Sequence, residues 1–383
     1  MFMKKSVITH LLLGLLCSCS QGSQQAPKIE NGYAINLEKE STPSAHDFFS
    51  KIEIFPLETH DSALLAFPTG ECDKVVLHND MFGFLQKRQQ QILAFDSRGM
   101  YVKQLNRQGK GPGEYYTADD FSLSPTDKID LLSSSGHYLM RYDARSLEWE
   151  KKIALPTELP AIHSFEIIDD ECYLLLSSAT DTRMYLFNTT TEEVIELDYS
   201  LPQWLNRNTT LSGRKPFYRC GKTLCYAQKY DGQVYSVASD GKSLTPRYRW
   251  DFGANTLTLE NIPQCESVIE FMKNARNLSH QYAIMFGVQQ ENDRYYFTRF
   301  KFKNKYRHLI IDKTRQKHYL FETFQEGGQF VPQAVDEKCA YTFLPPHIAS
   351  AIIGNQPIDA DSRRVLEKLD QESNPVIVKY YLR

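Results

Sequence analysis

Gln91-Ile92-Leu93-Ala94-Phe95-Asp96-Ser97-Arg98-Gly99-Met100-Tyr101-Val102 reads as strand, turn and strand. Apolar and aromatic residues flank a polar Asp/Ser/Gly hinge of the kind that closes hairpins. The figure returns at Tyr138-Leu139-Met140-Arg141-Tyr142-Asp143-Ala144-Arg145 and at Met184-Tyr185-Leu186-Phe187-Asn188-Thr189-Thr190. It returns again at Val234-Tyr235-Ser236-Val237-Ala238-Ser239-Asp240-Gly241 and at His308-Leu309-Ile310-Ile311-Asp312-Lys313-Thr314. Where no insertion intervenes the turns recur at about 45–50 residues, the size of a four-stranded propeller blade. Two further strand-like runs precede each figure, which gives five complete units over roughly 72–105, 120–155, 164–198, 215–252 and 283–324.

A sixth unit, with strand-like runs at 333–335, 339–343 and 375–382, lacks a fourth strand. Lys51-Ile52-Glu53-Ile54-Phe55-Pro56-Leu57-Glu58 alternates like a strand and supplies it. A ring closed by both chain ends leaves no sheet edge open to other chains. The expected fold is therefore an all-β, six-bladed β-propeller of four-stranded blades over 51–383, closed by the N-terminal strand. Two short helical insertions are expected. In 263–277, Val268, Ile269, Met272 and Ala275 share a helical face; 362–371 has Ser362 as its cap.

The N-terminus has a processing pattern. Lys4 and Lys5 precede an apolar run over 7–16, too short to cross a bilayer, as in a secretory signal. The run ends in Leu16-Cys17-Ser18-Cys19, which resembles a bacterial lipobox. That resemblance implies a signal peptide over 1–18 and a lipid on Cys19, anchoring the chain to a bacterial membrane in the cell envelope. The polar segment after it reads as a flexible tether over 19–50. Without Lys4 and Lys5, 42 basic residues stand against 47 acidic ones, a net charge of −5 that argues against nucleic acid as a partner. Cys72, Cys172, Cys220, Cys225, Cys265 and Cys339 have no zinc-ligand spacing. Cys220 and Cys225 flank a possible hairpin turn, either as a disulfide or, by preference, as two packed thiols.

The chain resembles the six-bladed β-propeller lipoproteins of Gram-negative anaerobes, related in shape to NHL-repeat and TolB-type propellers. The resemblance rests on the lipobox, on Ile54-Phe55-Pro56-Leu57-Glu58, on Gly109-Lys110-Gly111-Pro112-Gly113-Glu114-Tyr115 leading into Asp120-Phe121, and on Glu372-Ser373-Asn374-Pro375-Val376-Ile377-Val378. It spans nearly all of the mature chain and implies a fold, not an activity.

No motif fixes a chemistry. The Gly109–Tyr115 loop does not match a phosphate-binding G-x-x-x-x-G-K-[ST], and Gly-x-Ser-x-Gly is absent. Related propeller hydrolases hold calcium on inner strands. Here the expected inner strands at 75–77, 121–123, 165–167, 217–218, 284–286 and 334–335 carry one ionisable group, Glu166, with Asp120 and His163 just outside. No cofactor is therefore expected, and calcium is weakly supported. Single histidines such as His137 and His308 read as surface or packed residues.

Topology gathers the inter-blade crossovers and the loops between second and third strands on one side. That side is rich in Lys and Arg, with tyrosines interleaved. Arg88, Arg107, Lys110, Glu114, Tyr115, Asp120, His137 and Arg183 are the candidate ligand-binding residues. The expected function is a monomeric binding module for an anionic glycan or protein partner. The alternative is a propeller hydrolase or lyase working at the central channel.

Overall fold

The computed structural model describes residues 31–67, 72–177, 182–201, 216–227, 232–265, 267–284 and 287–383. The signal pattern and Cys19 lie outside them. The first two strands are β1 (Asn31–Ala34) and β2 (Phe49–Pro56). Blade 1 is β3 (Lys74–His78), β4 (Met81–Gln86), β5 (Gln91–Asp96) and β6 (Tyr101–Leu105). Blade 2 is β7 (Asp120–Leu123), β8 (Lys128–Ser133), β9 (Tyr138–Asp143) and β10 (Trp149–Ala154). Blade 3 is β11 (Ile162–Ile167), β12 (Cys172–Ser177), β13 (Thr182–Asn188) and β14 (Val194–Leu201). Blade 4 is β15 (Phe217–Cys220), β16 (Thr223–Ala227), β17 (Gln233–Val237) and β18 (Leu244–Asp251). Blade 5 is β19 (Gln289–Glu291), β20 (Tyr295–Phe302), β21 (Lys305–Asp312) and β22 (Lys317–Phe321). Blade 6 is β23 (Ala334–Val335), β24 (Cys339–Leu344) and β25 (Val376–Leu382), completed by β2.

Closure is as expected. β2 runs antiparallel to β25 from Phe49↔Leu382 to Pro56↔Val376, and Pro56 sits at the strand's end on the outer edge of the blade, where a missing N–H costs no ladder bond. Six apolar clusters fill the wedges between neighbouring blades, one per wedge. Aromatic side chains do most of the filling. Between blades 5 and 6, for instance, Phe49, Phe297, Phe330 and Tyr380 meet with ring centres about 5 Å apart.

The structure departs from the sequence expectation in five places. Residues 31–50, expected as tether, belong to the propeller. β1 adds a fifth, parallel strand to blade 4 (Asn31↔Tyr248 to Ala34↔Asp251), and Ile35, Leu37, Ala45 and Phe48 are buried. Their isolated apolar positions in a polar stretch gave no periodicity to read. The inner strand of blade 5 is the polar Gln289–Glu291, not 284–286; Ile284 instead bridges to Lys301, beyond the end of the inner strand, and 285–286 fall outside the described residues.

Three α-helices are described where two were expected: α1 (Val268–Gln281), α2 (Pro346–Ile353) and α3 (Ala360–Lys368). All lie on the crossover side. In α1, Ile269 is 82% exposed, so it does not belong to a buried face; the side chains of Val268, Met272 and Ala275 lie outside the described residues. The cap of α3 is Asp359, which accepts from Ser362 N at 2.8 Å. Ser362 is buried, and its Oγ accepts from Ile54 N on the closing strand at 2.8 Å. Cys220 pairs with Thr223 and Cys225 with Tyr218, and both are buried free thiols.

The docked N-terminus gives a test. A chain beginning at Ala45 is expected to melt several degrees below one beginning at Asn31, because it loses β1, Ile35, Leu37 and the tilted ring contact of Tyr33 with Trp250 at 5.5 Å. A chain beginning at Leu57 is expected to aggregate through the bared edge of β25. Thermal melting followed by light scattering checks both, and equal behaviour of the three chains contradicts the arrangement.

Candidate functional site

Six inner strands surround the central channel: β3, β7, β11, β15, β19 and β23. A cavity of about 200 Å³ occupies it, with Lys74, Ser122, Glu166, Arg219, Gln290 and Gln333 among its lining. The channel is more polar than its apolar strand signals suggested. Lys74 opens β3 and Asp120 opens β7, both pointing into a buried layer.

These charges close on one another. Lys74 Nζ lies 2.9 Å from Asp120 Oδ1 and 3.1 Å from Glu166 Oε1. Asp120 Oδ2 accepts from Ser164 Oγ at 2.6 Å and from Phe165 N at 3.0 Å, while Glu166 Oε2 accepts from Ser122 Oγ at 2.9 Å. One ammonium thus ties the inner strands of blades 1, 2 and 3. Burial works to lower the Lys74 pKa, but the two carboxylates outweigh it and hold the ammonium above its ordinary value.

A second node sits between blades 4 and 5. Buried Glu291, at the end of β19, accepts from Arg247 Nε at 2.9 Å, Lys313 Nζ at 2.8 Å, Tyr248 Oη at 2.9 Å and Tyr218 Oη at 3.1 Å. Burial pushes its pKa up, yet Arg247 and Lys313 keep it below the usual carboxylate value. Lys74, Asp120, Glu166 and Glu291 are thus engaged in structural bonds. Among the described residues no group of three or more His, Cys, Asp and Glu side chains is placed to hold a metal ion.

The candidate residues separate into different places. Tyr115 is fully buried: its hydroxyl donates to the carbonyl oxygens of Gln90 (2.7 Å) and Leu105 (3.2 Å), so it offers no ring to a ligand. Burial pushes its pKa to about 12. Tyr116, the next residue, lies in a bend of the loop and is exposed. Glu114 latches its own loop by accepting from Gly111 N at 2.7 Å, and a Cβ at Gly109 would stand 2.0 Å from Glu114 Oε2. The glycine therefore makes room for the latch. Asp120 belongs to the channel tie. His137 Nε2 meets Pro156 O at 2.8 Å. Arg183 pairs with Glu196 on blade 3. His308 is a core residue against Phe321, and burial lowers its pKa to about 3.

Arg88, Arg107 and Lys110 stay exposed, without an ion pair among the described residues. The glycine-rich loop drapes over the flank of blades 1 and 2. Tyr142 Oη donates to Gly113 O at 3.0 Å, Gly113 lies against Trp149, and the Arg107 guanidinium sits 5.9 Å from the Tyr142 ring. Nearby, Tyr116 packs against Tyr138, whose ring carries Lys152 Nζ at 3.9 Å. Exposed Arg107, Lys110 and Lys152 therefore share a flank with exposed Tyr116 and Trp149. Of the other basic candidates, Arg88 lies on the loop between β4 and β5 and Arg183 on β13.

The profile of a family described as a domain of unknown function, DUF4934, matches residues 32–381. The chain belongs to this family. Its match begins at β1, in agreement with the docked N-terminus. No curated protein matches the chain in sequence. Among solved structures, a Bacteroides fragilis protein named for its inferred export is similar at 16% identity with a TM-score of 0.69, covering 92% of this chain and 98% of its own. A member of the DUF4221 family from Bacteroides vulgatus is similar at 12% identity with a TM-score of 0.54, covering 88% of this chain and 97% of its own. At these identities the likeness is one of fold.

The channel tie makes a quantitative prediction for this member of the family. Lys74→Met leaves Asp120 and Glu166 buried without their cation and is expected to cost about 3–5 kcal/mol in chemical unfolding. The triple change with Asp120→Asn and Glu166→Gln should recover most of it. Since the Lys74 pKa is raised on folding, its contribution is complete at neutral pH. It is lost only as alkaline pH rises past the ordinary value of 10.5 and through the folded one. Equal stability of wild type and Lys74→Met would contradict the tie.

Proposed function

We propose that this chain is a lipid-anchored, extracytoplasmic binding module that recognises an anionic ligand on its outer flank. The observation that carries this reading is the division of its charges. Lys74, Asp120 and Glu166 in the channel are consumed by one another, whereas Arg107 is exposed beside the Tyr142 ring and Lys110 is exposed on the same loop. A hydrolase working at the channel needs a carboxylate free to move a proton, and Asp120 and Glu166 are each held by a cation and a hydroxyl donor.

Exposed cations on a net-acidic chain attract anions, and Arg presents a fork suited to carboxylate or sulfate. Flat rings such as Tyr116 add apolar surface for a sugar. An acidic glycan fits both features. An acidic patch on a partner protein fits the charges alone. Glu114 contributes by shaping the loop.

The cellular address rests on the Leu16-Cys17-Ser18-Cys19 pattern and accords with the exported description of the Bacteroides fragilis neighbour. Cys19→Ala is expected to release the protein from membranes into the soluble fraction; retention of that variant in detergent-extractable membranes contradicts the anchor. For the ligand, calorimetry against oligogalacturonate, chondroitin sulfate fragments and neutral maltohexaose decides. Binding of an acidic oligomer is expected to weaken with salt and to fall about tenfold or more in Arg107→Ala with Lys110→Ala. Binding of the neutral oligomer alone, or acidic binding indifferent to salt and to both changes, overturns the reading.

A further inference from the structure

The wedge between blades 6 and 1 is filled by Phe82, Phe84, Tyr341 and Phe343, whose rings meet at 4.9–5.0 Å. The next wedge, between blades 1 and 2, is different. Gly83, Ala94 and Ala144 stand at its sides, and a cavity of about 250 Å³ remains. Gly83 leaves little room for a side chain there: a Cβ would come within 3.2 Å of the Phe121 ring. Ile92, Phe121 and Ile129 make the walls apolar.

The mouth opens on the side of the β3–β4 and β9–β10 turns, away from the crossovers. His78 Nε2 meets Asp127 Oδ1 there at 2.8 Å, and Arg145 Nη2 meets Asp127 Oδ2 at 2.7 Å. Lys103 completes the lining. Its Nζ donates to the carbonyl oxygens of Ala144 and, at 3.0 Å, Arg145, with no carboxylate at ion-pair distance among the described residues. Burial lowers its pKa, against a weaker opposing pull from Asp143. An ammonium drawn partly out of water with only carbonyl acceptors is a cation short of a counter-ion.

We propose that this cavity binds a small amphipathic carboxylate, its acyl or aryl tail in the wedge between blades 1 and 2 and its carboxylate on Lys103. The volume lies below the roughly 300 Å³ at which drug-sized pockets begin, so the tail is short. The site shares no residue with the flank patch formed by Arg107, Lys110, Lys152, Tyr116 and Trp149, and stands or falls independently of it.

Titration of the intact protein with 4-phenylbutyrate and with its neutral counterpart 4-phenylbutan-1-ol, read by calorimetry and ligand-observed NMR, tests it. The acid is expected to bind saturably and the alcohol about tenfold more weakly, as befits loss of one charge-assisted contact. Lys103→Met should bring the acid down to the level of the alcohol. Ala94→Ile, which fills the cavity from β5, should remove both. Arg107→Ala with Lys110→Ala should leave both unchanged. Absence of saturable binding by the acid, equal affinity for acid and alcohol, or binding that survives Lys103→Met and Ala94→Ile overturns the proposal.

Discussion

A ring of blades is stable only if its last sheet is completed by its first strand. The pairing of β2 with β25 meets that constraint here, joining residues more than three hundred positions apart along seven register pairs. Much else is arranged around this seam. Ser362 of α3 caps a backbone N–H of the closing strand, and Asn374 holds the chain that follows it by donating to Glu58 O and Ala63 O and accepting from Leu65 N. The C-terminal Arg383 returns to the carbonyl oxygens of Phe48 and Phe49. Helical insertion, N-terminal strand and C-terminus thus meet at one seam, while the polar segment before β2 docks elsewhere, as β1 on the outer edge of blade 4.

Closure fixes the blades in a circle but leaves the centre to be filled. Wide aromatic residues fill the wedges, where distance from the axis is large. Near the axis the strands converge on polar side chains, and the solution is electrostatic. Lys74 carries two carboxylates from the next two blades; farther out, in the wedge between blades 4 and 5, Glu291 carries two cations. Partners of opposite sign with hydroxyl donors on the remaining lone pairs make such burial tolerable. Binding Lys74, Asp120 and Glu166 to one another leaves those carboxylates little freedom for proton transfer and turns attention to the outer flank and the open wedge.

The periodic strand–turn figure made the blades legible, because alternation and turn chemistry are local properties. Closure by 51–58 was legible for the same reason: a strand without a partner faced a blade without a fourth strand. What escaped was whatever local pattern does not encode. β19 is Gln-Gln-Glu, so its identity as an inner strand depends on its neighbours in the ring, and an apolar run at 284–286 outcompeted it. Ile35 and Leu37 are buried by a fold that their own segment does not announce. At the candidate site, Tyr115 and Tyr116 are alike in composition and opposite in role, since the backbone turns one inward and the other outward. Lys74 and Lys103 had no motif around them; long-range packing alone gives each its partner or denies it one.

The proposed function follows from where charges are left unspent. The centre is fastened, the crossover flank offers cations with rings, and the wedge between blades 1 and 2 keeps a cavity beside a lysine without a carboxylate. Hydrogen exchange on the intact protein, with and without a saturating acidic oligosaccharide, tests this division most directly. The account predicts that β2, β3, β7 and β11 exchange in the slowest class in both conditions, with ligand protection confined to the glycine-rich loop over 107–116 and the adjoining start of β10. Fast exchange in β2, or ligand protection appearing in the channel strands while the flank stays unchanged, would contradict it.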